Sequence, residues 1–141
     1  MTDINNAPIL RQVVIDGTDI RVLAEFYRQL FGLQYRPGDE PPRSIDPDPA
    51  GADWLVLRNG SGMGLAFQHV EALPEPTWPD GEYPQMLHLD TTVPNTEALA
   101  RQRDRVLVLG GRLLLDRFDD PDEPLYVFAD PAGHPFCIFV G

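Results

Sequence analysis

The sequence predicts an α+β fold: two βαβββ modules forming a curved mixed sheet around a concave pocket, with helices on the outer face. Three observations predict it. An apolar strand, a helix ending at glycine and further strands closing on a tight turn occur in that order from Leu10 to about His69, and again from about Gln85 to Val140. Gln12 and Asp19 of the first copy match His88 and Asn95 of the second, both 76 residues on. The turns Asn59-Gly60-Ser61-Gly62 and Asp130-Pro131-Ala132-Gly133 close the two copies at the same place. Residues 1–141 therefore read as one domain, with a first module over 8–70 and a second over 85–141.

Residues 1–7 read as a loose arm. Leu10 to Ile15 is apolar and β-branched, which predicts a strand. Asp19 is a candidate N-cap, and Ile20, Leu23, Ala24, Tyr27, Leu30 and Phe31 recur at helical spacing. Gly32 stands where a left-handed C-cap is wanted. Leu33 to Arg36 is a short strand. Pro37 to Asp53 holds five prolines and several acids and reads as an exposed loop, a candidate lid. Trp54 to Arg58 and Gly64 to His69 form a hairpin around the glycine-rich turn. Pro74 to Pro84 is a proline-stiffened linker, whose Trp78 reads as packing between modules.

In the second module, Met86 to Thr92 reads as a strand. Asn95 or Thr96 caps a helix reaching about Leu109, with a weaker stripe of Leu99, Val106, Leu107 and Ala100. Arg112 to Asp116 is a strand, Phe118 to Pro124 an acidic rim loop, and Leu125 to Ala129 with Pro135 to Val140 the closing hairpin. Strand alternation assigns the faces. Leu55, Leu57, Leu65, Phe67, Phe136 and Ile138 should meet the helices, while Gln12, Gln68, His88, Asp90 and Cys137 should share the opposite, concave face.

Composition narrows the function classes. The net charge is -11, all eleven basic residues are Arg, and the chain has no Lys. A lysine Schiff base is therefore excluded. An acidic surface repels phosphate backbones and anionic membranes, so no nucleic-acid or membrane partner is expected. The single Cys137 excludes an intrachain disulfide framework and a cysteine-rich zinc site. No apolar run approaches the roughly 18 residues of a membrane span, and no signal peptide is read at the N-terminus, so a cytoplasmic protein is expected. Phosphate loops, dinucleotide fingerprints and nucleophile elbows do not occur.

Several segments carry a family likeness. They are Glu25-Phe26-Tyr27 with Leu30-Phe31-Gly32-Leu33, Leu65-Ala66-Phe67-Gln68, Leu87-His88-Leu89-Asp90, and Asp130-Pro131-Ala132-Gly133-His134-Pro135-Phe136-Cys137. Over nearly its whole length the chain resembles the vicinal oxygen chelate superfamily of glyoxalases, bleomycin-resistance proteins and extradiol dioxygenases, in its glyoxalase-like branch. In metal-dependent members the resemblance implies one ligand on the first and one on the last strand of each module. Those positions correspond here to Gln12, Ala66, His88 and Cys137. Ala66 has no donor atom, and the usual carboxylate is missing. The expectation is thus no cofactor, with a divalent metal held by His88 and Gln12 as the alternative.

His88 is the candidate catalytic residue, as metal ligand or as general acid/base, since imidazole titrates at about 6.5. A hydrogen-bonded structural His is the competing reading. Gln12, Trp54, Gln68, Asp90 and Cys137 are the candidate substrate-binding residues. Asp90 either orients His88 or is solvated at the rim. Trp54 supplies a flat apolar surface or plugs the core. Cys137 reads as a small buried hydrophobe, and His69 and His134 as exposed. The resemblance implies a homodimer that binds a small organic molecule, as a lyase, isomerase or oxygenase other than a true glyoxalase I. The alternative is a non-catalytic drug-binding or sequestering protein of the bleomycin-resistance type.

Overall fold

The computed structural model describes residues 7–141, so the arm read at 1–7 lies, except for Ala7, outside the described residues. The first module comprises β1 (Gln12–Gly17), α1 (Ile20–Phe31), β2 (Gln34–Tyr35), β3 (Trp54–Asn59) and β4 (Gly62–His69). The second comprises β5 (Leu89–Val93), α2 (Thr96–Leu109), β6 (Arg112–Arg117), β7 (Leu125–Ala129) and β8 (Pro135–Val140). The strands form two four-stranded sheets, ordered β1-β4-β3-β2 and β5-β8-β7-β6. In each, the first strand pairs parallel with the last and the other pairings are antiparallel. The repeat is therefore real in topology, although the two sheets are not hydrogen-bonded into one.

Local chemistry sets the boundaries. The Asp19 carboxylate accepts from the Val22 N–H and the Asn95 side chain from the Ala98 N–H, which satisfies donors that each helix start leaves open. Gly32 ends α1 at φ 66°, a left-handed conformation that an L side chain would strain. β5 starts at Leu89, later than the Met86 expected from apolar content. Its first rung is Leu89 opposite Phe136, and the rung before would fall on Pro135, which has no N–H to donate. On α2 the buried stripe is Ala98, Leu99 and Val106, while Leu107 and Ala100 are exposed.

The alternation reading of the helix-facing side holds. Leu55, Leu57, Leu65, Phe67, Phe136 and Ile138 all lie in one contiguous core with residues of both helices. That core crosses from module to module through α1. Phe26 and Tyr27 meet Phe136 edge to face at 5.9 and 6.0 Å between ring centres. The Tyr27 hydroxyl donates to Asp130 Oδ2 at 2.7 Å, and Asp130 is 1% exposed. Asp130 also accepts from the Ala132 and His134 N–H groups and from His134 Nδ1. His134 is accordingly not a free surface residue, as the sequence suggested, but half-buried against this carboxylate. Burial first, and the Asp130 charge second, push the Tyr27 hydroxyl well above its ordinary pKa, so it stays a donor.

The proline-rich loop is pinned to the first module. Asp48 takes a two-pronged bond from the Arg21 guanidinium, and buried Asp39 accepts from the Val56 N–H while pairing with Arg36. It is fastened beside α1 and β3 and lines none of the cavities around His88.

Tyr27→Phe removes one hydrogen bond to a buried carboxylate and should lower unfolding stability by about 1.5–3 kcal/mol. Asp130→Ala should cost more, because it also orphans the donors of the closing turn. Urea unfolding followed by circular dichroism checks both. Equal stability of Tyr27→Phe and the parent would refute the joint.

Candidate functional site

The concave face of the second sheet is a ladder of paired side chains. One rung across the strands reads Asp90, Cys137, Val127, Leu115, and the next Thr92, Phe139, Leu125, Arg117. With His88, Trp78, Pro79 and Glu123, all of these residues except Thr92 line a cavity of about 290 Å³. His88 lies just before β5, two residues from Asp90, and lines the same cavity. Its Nε2 is 3.0 Å from Asp90 Oδ1. One donor atom each from His88, Asp90 and Cys137 falls within 4.8 Å of the others. The acidic Phe118–Pro124 loop supplies the rim through Glu123, as expected.

Trp78 stacks on the His88 ring, 4.7 Å between centres and 18° between planes. This fixes the imidazole plane from the linker side. Sequence reasoning missed this role, because a proline-rich linker has no periodicity from which a facing can be read. Cys137 is buried; burial first, then the Asp90 charge, push its thiol up to about 11. As free protein it is a protonated thiol at neutral pH, in keeping with the reading of a small buried hydrophobe.

His88 also lines a second, larger cavity of about 660 Å³ between the modules. Its walls are Val14, Ile15 and Asp16 of β1, the linker from Leu73 to Thr77, the segment Tyr83–Leu89, and Tyr27, His134 and Pro135. The lining is largely apolar, with Asp16, Glu75, Thr77, Gln85 and the two imidazoles among its polar points. His88 thus stands where an apolar groove meets the polar rung.

The other expected residues fall elsewhere. On the first sheet Val14 pairs with Ala66, the register counterpart of Asp90 with Cys137, so the equivalent rung is apolar. Gln68 lies between Asp16 and Trp54 on a rung of its own, and neither Gln68 nor Trp54 lines the two cavities around His88. Gln12 lines a different cavity, with Arg11, Arg36 and Arg58. Within the chain, the structure brings together His88, Asp90 and Cys137 and leaves Gln12, Trp54 and Gln68 apart.

A glyoxalase-like domain model matches residues 12–139. The chain belongs to the glyoxalase-like domain family. Among solved structures, this glyoxalase-like protein is similar to a glyoxalase/bleomycin resistance protein/dioxygenase family enzyme from Burkholderia phytofirmans PsJN, with 19% identity, TM-score 0.66, and 94% and 98% of the two chains covered. It is similar to the fosfomycin resistance protein FosX from Listeria monocytogenes, complexed with Mn(II) and sulfate, with 14% identity, TM-score 0.65, and 96% and 93% covered. It is also similar to a glyoxalase/dioxygenase from Nostoc punctiforme, with 16% identity, TM-score 0.63, and 99% and 95% covered. At these identities the likeness is one of fold. No curated protein matches in sequence.

The four-position ligand set implied by the superfamily does not fit this chain as a set, because Ala66 offers no donor and Gln12 lines another cavity. The His88–Asp90–Cys137 cluster does fit a divalent metal. Its donors are an imidazole nitrogen, a carboxylate oxygen and a sulfur, all within 4.8 Å of one another, a donor set that a divalent ion such as zinc takes.

Cys137 in metal-free protein should react with iodoacetamide about a hundredfold more slowly at neutral pH than an ordinary thiol, with the rate climbing toward pH 11. Mass spectrometry reads this directly, since the chain has one cysteine. Fast labelling at neutral pH would mean an activated thiol.

Proposed function

We propose that this glyoxalase-like protein binds a small organic molecule in the apolar groove between its modules and that His88 acts on it as an acid/base group. The observation that carries the reading is the position of His88. It is shared by the 660 Å³ groove and the smaller polar cavity, and is held by Asp90 on one side and Trp78 on the other. A general acid or base needs this combination of an apolar substrate wall, a fixed ring plane and a partner that sets the tautomer. Asp90 orients the imidazole, Trp78 stacks with it and excludes water, and Val14, Leu87 and Leu89 receive the apolar body of the ligand. Isomerisation or elimination suits such a site; oxygenation would need a redox-active metal at the cluster in place of zinc.

A divalent metal is the cofactor that the cluster would take, with His88, Asp90 and Cys137 as ligands. A thiolate beside imidazole and carboxylate favours zinc over manganese. Such an ion would polarise a substrate oxygen. Without it the same residues bind and orient the ligand.

A sequestering role is the second reading. The groove is apolar, carries Asp16 and Glu75 at its edges, and belongs to a chain of net charge -11, which suits a cationic aromatic compound. We also place the protein in the cytoplasm, consistent with one free cysteine. No helix among the described residues is long and apolar enough to cross a membrane.

One experiment separates the two roles. Tryptophan fluorescence of the parent is titrated with a panel of aromatic compounds, hits are incubated for product, and the parent and His88→Ala are compared for metal content after purification without chelator. An enzyme should lose at least about a hundredfold in turnover in His88→Ala while binding changes less. Quenching with no product from the parent selects sequestration. No hit that a Val14→Trp block of the groove abolishes would end both readings.

We further propose that a second copy of the chain covers the exposed apolar residues beside β1 and β5. Ile9, Leu10 and Met86, outside the ligand-receiving set, are almost fully exposed large apolar side chains, and covering them would remove apolar surface from water. Sedimentation velocity should give a dimer for the parent and a monomer for Leu10→Glu. A monomeric parent at micromolar concentration would refute the pairing.

A further inference from the structure

At the turn end of the first sheet lies a cavity of about 350 Å³ that the reading above does not use. Arg11, Arg36 and Arg58 line it together with Gln12, Asn59 and Gly64. The chain has twice as many acids as bases, 22 against 11, yet three arginines converge here and no acidic residue lines the cavity. We propose that this cavity binds a phosphate group, carried by a small molecule or free in solution.

Three features of the backbone build it. Gln12 pairs with Gly64 on the parallel β1–β4 ladder, so the rung beside Gln12 has no side chain and the cavity floor is open backbone. That glycine is required, since a Cβ there would stand 2.4 Å from the Leu57 carbonyl oxygen. Next to it the β3–β4 register shifts between Leu57 and Asn59. Such an irregularity re-aims side chains, here at Arg58 and Asn59. Finally, Gly60 turns the chain at φ 51°, keeping the hairpin loop to two residues and the turn close to the arginines.

The donor inventory selects the ligand. Guanidinium groups only donate, and the Gln12 and Asn59 amides can turn a donor inward. Arg36 is held in place by Asp39, itself buried and bonded to the Val56 N–H. Arg11 and Arg58 make no ion pair among the described residues, so their charge is available to an incoming anion. Guanidinium forks match the oxygen geometry of phosphate in a two-pronged fashion, and several forks favour a doubly charged group over a single carboxylate. The site lies apart from His88, so it does not rest on the functional reading above.

The test is calorimetric titration of the full chain at low salt with inorganic phosphate, phenyl phosphate and acetate. The comparison variants are Arg58→Gln, Arg11→Gln and, as a charge control on exposed α2, Arg101→Gln. Phosphate binding at one site, weakened about tenfold or more by Arg58→Gln and by Arg11→Gln but not by Arg101→Gln, supports the proposal. Tighter binding of phenyl phosphate than of inorganic phosphate assigns the site to a phosphorylated small molecule, and the reverse to free phosphate. Absence of binding, an equal loss in Arg101→Gln, or acetate binding as tightly as phosphate would overturn it. Circular dichroism confirms that each variant is folded, and Arg58 and Arg11 are exposed, so their replacement leaves the core intact.

Discussion

The buried carboxylate of Asp130 is the constraint on which the rest of the molecule depends. Its burial would be costly without partners, and the closing turn of the second module supplies them from its own N–H groups and from His134. The remaining partner is the Tyr27 hydroxyl, from the helix of the other module. One acid therefore shapes a turn, orients an imidazole and locks two sheets that share no strand pairing. Around it, Phe26, Tyr27 and Phe136 close the apolar joint. The groove that receives His88 exists because this joint fixes β1 against the start of β5.

The duplication is symmetrical in topology and unequal in chemistry. In the second module the central rung carries Asp90 and Cys137, and in the first it carries Val14 and Ala66. One half can offer donors to a ligand or an ion while the other offers apolar wall. The arginines of the first module gather instead at its turn end. Acidic groups are likewise sorted: Asp39 and Asp48 fasten the proline-rich loop, and Arg21 beside Asp48 holds that carboxyl below its ordinary pKa. The loop that looked like a lid is fastened by these pairs, and the linker carrying Trp78 covers the site.

The elements, the duplication and the facing of most strands are written in local sequence. Capping residues, helical spacing and alternation are local, and each of Asp19, Gly32, Asn95, Leu57 and Phe67 acts as its type and spacing predict. Alternation also put His88, Asp90 and Cys137 on one face; the β5–β8 register pairs Asp90 with Cys137, and His88 joins them from just before β5. Which face meets which cavity depends on packing between the two modules. Gln12 shares a parity with His88 in the repeat but lines another cavity, because the two sheets are joined through α1 and the Asp130 turn and not edge to edge. Trp78 reaches His88 through a linker whose course no periodicity encodes. Local spacing fixes which side of a strand a residue occupies; the distance between two strands far apart in the chain is fixed by packing across the whole core.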